Sequence, residues 1–109
     1  MANAYKVLGQ VEPSATTDTT LYTVPSATEA VCSTLSVCNK AASTGTFRVR
    51  IKIAGAADDD KQFIIYDASI GSKDTLLLTF GATLAATDVV VVYASSADIT
   101  FQLFGSEIS

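Results

Sequence analysis

Apolar and polar residues alternate along much of this chain with a period of two. The clearest case is "TFRVRIKI", where Phe47, Val49, Ile51 and Ile53 fall on one side and Arg48, Arg50 and Lys52 on the other, the pattern of a half-buried strand. The same period predicts strands over Tyr5 to Val11, Thr20 to Val24, Val31 to Asn39, Thr46 to Ala54, Gln62 to Tyr66, Thr75 to Phe80, Val89 to Ala94, and Ile99 to Phe104. Stretches such as "VEPSATTDT", "NKAASTG", "AGAADDDK", "DASIGSKD" and "SSAD" lie between them and supply the Gly, Pro, Asn, Asp and Ser that turns need. No window of comparable length shows a helical stripe.

Short β-rich runs separated by regular turn signals predict an all-β fold, a single-domain antiparallel β-sandwich of about eight strands. Local propensity leaves an immunoglobulin-like arrangement and a jelly roll both open. The 109 residues suffice for one core and leave little for a second lobe, so residues 1–109 are expected to form one domain, with 1–4 as a flexible start. The apolar spell "VVVVYA" falls far short of the roughly 20 residues of a spanning helix. No membrane insertion is expected, and "MANAYKVLGQVEP" lacks the uninterrupted apolar region of a signal peptide.

Composition changes the picture of the surface. Hydrophobic residues make up 49% of the chain and charged residues 17%, little charge for a body whose whole surface faces water. Some of that surface is therefore expected to be covered by other subunits. The net charge of −4 argues against direct binding of nucleic acid. Arg48, Arg50 and Lys52 read as a solvated strand face, ahead of a subunit salt bridge or a nucleic-acid contact.

Candidate chemistry is sparse. Without histidine there is no His-dependent triad. Asp67 with Asp74, and Asp88 with Asp98, read as loop-flanking carboxylates that satisfy nearby backbone donors. The run Asp58 to Asp60 lacks the spacing of a calcium loop and reads as a solvated acidic loop, ahead of weak or intersubunit calcium binding. Cys32 and Cys38 lie roughly 20 Å apart on one side of a straight strand, too far to bridge, and read as buried, reduced thiols. No catalytic residue, cofactor or metal is expected. Phe47, Phe63, Phe80 and Phe101 fall inside strands and suit a core. Tyr22 and Tyr93, with rings on apolar material and hydroxyls outward, join Phe104 and Ile108 as candidate interface residues. The terminal "FGSEIS" is expected to close or cover a strand edge.

Taken in order, "YKVLGQV", "TTDTTLYTVPSATEAVCSTLSVCN", "FIIYD" and "LLTFGATLAATDVVVVYASSADITFQLFGSEI" resemble a family of small structural proteins of tailed bacteriophages. The resemblance spans Tyr5 to Ile108 and rests on Gly9, Leu21 to Pro25, Asn39, Tyr66, Asp67, Gly81, Leu84 to Val89, Tyr93, Ala94 and Phe104 to Ile108. It implies a β-rich virion component that assembles as a homo-oligomer with other virion structural proteins at the tail, neck or capsid surface, after synthesis in the host cytoplasm. It brings no catalytic residues, and Cys32, Cys38 and the Asp58 to Lys61 loop look like local variations. The alternative is an adhesin that binds a host-surface receptor through a composite surface of several copies; a small enzyme comes third.

Overall fold

The computed structural model describes residues 3–109. Eight strands run in the order β1 (Asn3–Val11), β2 (Thr19–Thr23), β3 (Glu29–Asn39), β4 (Gly45–Lys52), β5 (Phe63–Ile70), β6 (Thr75–Leu84), β7 (Val89–Ala94) and β8 (Ile99–Ile108). They form two four-stranded sheets, β1-β8-β3-β6 and β2-β7-β4-β5, with every pairing antiparallel. The chain changes sheet at every connection except the β4 to β5 return, which gives the eight-stranded connectivity of a jelly roll.

The predicted alternation builds the core. Leu35 and Val37 of β3 and Ile99, Phe101 and Leu103 of β8 point inward from the first sheet, against Phe47 and Val49 of β4 and Val90 and Val92 of β7 from the second, all with 1% exposure or less. Asn39, 1% exposed, is the polar pin at one end. Its amide donates to the carbonyls of Ser43, Ile70 and Gly71, and its side-chain oxygen accepts from Ala41 N–H. Two neighbouring loops are thus tied to the end of β3 by one buried side chain whose donors and acceptor are all used.

Several expectations are corrected by bulges, each of which inserts a residue and reverses which side chains face inward. The β3 register shifts between Cys32 and Thr34, so Cys32 faces the core while Cys38 turns to the outer face and is half-buried. A shift where β5 passes Val49 and Arg50 sets Phe63 opposite Arg50, outside the core. Ile53 ends in a 3-10 turn, Ile53–Gly55, and is 75% exposed. Strands β5, β6 and β8 also outrun their predicted ends, because Asp67 (φ 51°) and Gly81 (φ 61°) occupy left-handed positions within β5 and β6 that locally resemble turns.

Both chain ends differ from expectation. Asn3 and Ala4, placed in a flexible start, pair with Ile108 and Glu107, while residues 1–2 lie outside the described residues. The terminal Gly105 to Ile108 does not cover an edge, because β8 is flanked by β1 on one side and β3 on the other. Removing it would open the middle of a sheet.

Candidate functional site

The outer face of the β2-β7-β4-β5 sheet carries the positive stripe of β4, and the fold neutralises it. Arg48 donates to both carboxylate oxygens of Asp67 at 2.6 and 3.2 Å. Its guanidinium lies between the rings of Tyr66 and Tyr93, 4.4 and 4.3 Å from their centroids. Arg50 is only 7% exposed. It stacks on Phe63 at 4.2 Å and reaches Asp58 at 3.0 Å and Asp18 at 3.5 Å, leaving its Nε without a partner. Lys52 also meets Asp58, at 2.5 Å. A freely solvated basic face was expected; two acidic loops and three aromatic rings occupy it instead.

The same contacts dispose of the acidic candidates. Asp58 is committed to Lys52 and Arg50, and Asp59 caps the short 3-10 helix Asp60–Gln62 by accepting from Lys61 N–H. Asp88 accepts from Ala54 and Ala85 N–H, both at 2.9 Å, and so fastens the β6–β7 loop to the end of β4. Asp74 accepts from Thr75 N–H, while Asp67 holds Arg48. Among the described residues no group of three or more His, Cys, Asp or Glu converges as a cation site.

These ion pairs make acid stability a measurable property. Hydrogen bonding from Lys52 holds Asp58 below the usual carboxylate range, hydrogen bonding from Arg48 does the same for Asp67, and Lys6, followed by Tyr22, does so for Glu107. A depressed folded-state value adds stability above the unfolded pKa, near 4, and loses it as pH falls through the folded one. The urea midpoint is therefore expected to decline steadily as the pH drops from about 5 towards 2. A midpoint unchanged to pH 3 would show that these pairs do not persist in solution.

Of the four candidate interface residues, Tyr22 is withdrawn from the surface. It is 7% exposed, and its hydroxyl donates to Glu107 Oε2 at 2.5 Å while Lys6 meets Oε1 at 2.7 Å. A bulge in β2 between Thr20 and Tyr22 turns the ring into the sandwich. Burial and the Glu107 carboxylate both push the phenol's pKa upward. Tyr93 is half-buried beneath Arg48 on one sheet, whereas Phe104 and Ile108 are half-buried on the other.

That other sheet supplies a surface the sequence shows only in part. Along β1, β8, β3 and β6 the charged residues are Lys6, Glu29 and Glu107 alone, and Lys6 and Glu107 neutralise each other. Exposed on this side are Tyr5 (83%), Val7, Val31 and Leu77 (70%). Tyr5, Val31 and Phe104 line a shallow depression of about 430 Å³, and Val31 and Ile108 border a second of about 390 Å³. Tyr5, Val7, Val31 and Leu77 were missed as surface residues because the alternation says which side chains share a face, not which face of a sheet meets water. The signal available was the scarcity of charge in "TLLLTFGATL" and "ITFQLFG".

The two thiols differ in the same way as the two faces. Burial pushes the Cys32 thiol up to about 11, whereas Cys38 is partly open. A chromogenic thiol reagent is expected to modify one cysteine per native chain quickly and the second only on unfolding. Rapid reaction of both would contradict the burial of Cys32.

No protein-family model, curated protein or solved structure matches this chain.

Proposed function

We propose that this protein is a noncatalytic structural subunit of a tailed-bacteriophage virion, self-associating and joining other virion proteins at the tail, neck or capsid surface. The observation that carries the assembly role is the nearly charge-free outer face of the β1-β8-β3-β6 sheet, where Tyr5, Val7 and Val31 are exposed around Phe104 and Leu77 is exposed separately on β6. Apolar surface of this kind, next to an opposite face whose charges are already paired, suits burial against protein. The virion setting rests on the sequence resemblance, and the jelly roll, an architecture used in viral capsids among other places, agrees with it without deciding it. The missing histidine, and the commitment of Asp67 to Arg48 and of Asp88 to backbone N–H groups, support a noncatalytic reading.

The test is co-sedimentation. Antibody to the recombinant protein is expected to label gradient-purified phage particles, with many copies per particle by quantitative mass spectrometry. Recovery only in the particle-free fraction would overturn the reading.

One observation favours a second reading. Tyr66 is 59% exposed beside the Arg48–Asp67 pair, an aromatic and polar edge of the kind that receptor-binding surfaces use. An adhesin would show saturable binding of the isolated oligomer to host envelopes, weakened by Tyr66→Ala. No binding to envelopes would remove it.

A further inference from the structure

The four edge strands of the sandwich are not equivalent. An edge strand presents unpaired backbone N–H and C=O groups, and monomeric proteins blunt such edges with charge, short length or bulges. Edge β1 carries Lys6 and a bulge between Val7 and Gly9. Edge β2 is five residues long and bulged. Edge β5 contains Asp67 at a left-handed φ of 51°. Edge β6 is ten residues long, has no charged residue and no proline, and exposes Leu77 at 70%. Its first part, Thr75 to Thr79, pairs regularly with β3, and the bulge comes only afterwards, at Phe80 and Gly81.

That regular part reads "TLLLT", the same in both directions. In an antiparallel pair centred on Leu77, Leu77 faces Leu77 of a second copy, Leu76 faces Leu78, and Thr75 faces Thr79. Every cross-strand pair is then like with like, of the Thr–Thr and aliphatic kinds that stabilise sheets. The inward faces also stay in register, since Leu76 and Leu78 already pack against the core while Thr75, Leu77 and Thr79 lie on the outer side.

We infer that β6 is a homodimerisation edge, pairing antiparallel with β6 of a second copy about a two-fold axis through Leu77. The occupant is a second copy because the neutral, palindromic strand is complementary to itself, whereas the copy's other edges would bring Lys6, a short bulged strand or the Asp67 kink against it. Such a contact is isologous and extends the β1-β8-β3-β6 sheet across both subunits, with the left-handed Asp67 keeping the β5 edges from joining. It deepens, and rests on, the reading of this chain as an assembling subunit, for which it would be the first self-contact.

Directly opposed residues in an antiparallel pair have α-carbons about 4.5–5.5 Å apart, within disulfide reach, whereas Thr79 of one copy and Thr79 of the other would be separated by roughly 13 Å along the strand. With Cys38→Ser to remove the accessible native thiol, Leu77→Cys under copper-phenanthroline oxidation is expected to give a dimer band of twice 11.4 kDa, and Thr79→Cys little or none. Leu77→Lys is expected to halve the native mass by light scattering and to melt like wild type diluted to the monomer, because Leu77 is exposed and only the stability gained from association is lost. Equal crosslinking of the two cysteine variants, no crosslinking of Leu77→Cys, or an unchanged mass for Leu77→Lys would each overturn the pairing. A wild-type monomer at all concentrations would overturn it too, yet leave the structural-subunit reading to the co-sedimentation test, because a monomer can still dock on a particle.

Discussion

Gly105→Ala is expected to remove a large part of the protein's stability. Gly105 sits in the middle of β8, opposite Lys6 of β1 and Cys32 of β3. A β-carbon there would lie 2.0 Å from the carbonyl oxygen of Val31 and 3.0 Å from the α-carbon of Cys32. Both obstacles are backbone of the neighbouring central strand, so neither can swing aside as a side-chain tip does. Relief requires β8 to move off β3, which disturbs the ladder on both sides of β8 and the Tyr22–Glu107–Lys6 cluster beside it. Overpacking of this severity belongs in the upper tail of single-residue effects, about 3–5 kcal/mol, against a total of about 5–15 kcal/mol for an ordinary domain.

Urea denaturation of the purified variant measures that loss, and Gly71→Ala is the control. At Gly71 the added β-carbon meets nothing closer than Asp74 Oδ2 at 3.6 Å, and the change is expected to stay within about 0.5 kcal/mol. A Gly105→Ala midpoint close to wild type would mean that β3 and β8 separate at little cost. The same geometry explains why the C-terminal segment cannot act as a detachable cover: it is held between two strands. Gly9 meets a similar limit, since a β-carbon there would lie 2.1 Å from the carbonyl oxygen of Leu21.

Strand existence was legible in this sequence because alternation is a local signal. Phe47 and Val49 faced inward as read, and each of the eight predicted strands has its counterpart. What escaped reading was set by residues distant in sequence. A bulge at Ser33 is visible only against the partners β6 and β8, and it alone sends Cys38 to the opposite face from Cys32. The burial of Arg50 depends on Asp18 and Asp58 arriving from two loops and on Phe63 arriving from β5. Strand order is equally non-local: "FGSEIS" reads as a tail in sequence and becomes the centre of a sheet only because β1 pairs on its far side. On the candidate surface, Phe104 and Ile108 were singled out for their apolar character, and both are half-buried on this sheet. Tyr5 and Leu77 were not singled out, because they need the knowledge of which strands share a sheet and how little charge its outer face carries.

Phe101→Ala is expected to produce the second large loss, and its cause is the space between the sheets. Phe101 is fully buried in β8, and its ring meets that of Phe47 in β4 edge-on, with centroids 6.0 Å apart and planes at 66°. Packed sheets lie about 10 Å apart, so two facing aromatic side chains fill a gap that smaller residues would leave hollow. Truncation loses the transfer free energy of the ring and adds a cavity, together about 3–5 kcal/mol. In a double-mutant cycle with Phe47→Ala, the pair is expected to show a coupling of about 1 kcal/mol. Tyr5→Ala separates this effect from assembly: at 83% exposure the ring contributes little to the isolated fold, about 0.5 kcal/mol or less. A concentration-independent loss for Tyr5→Ala as large as that for Phe101→Ala would contradict its position on the open face. A loss that grows with protein concentration would instead identify Tyr5 as part of a subunit contact, since stability gained from association follows mass action.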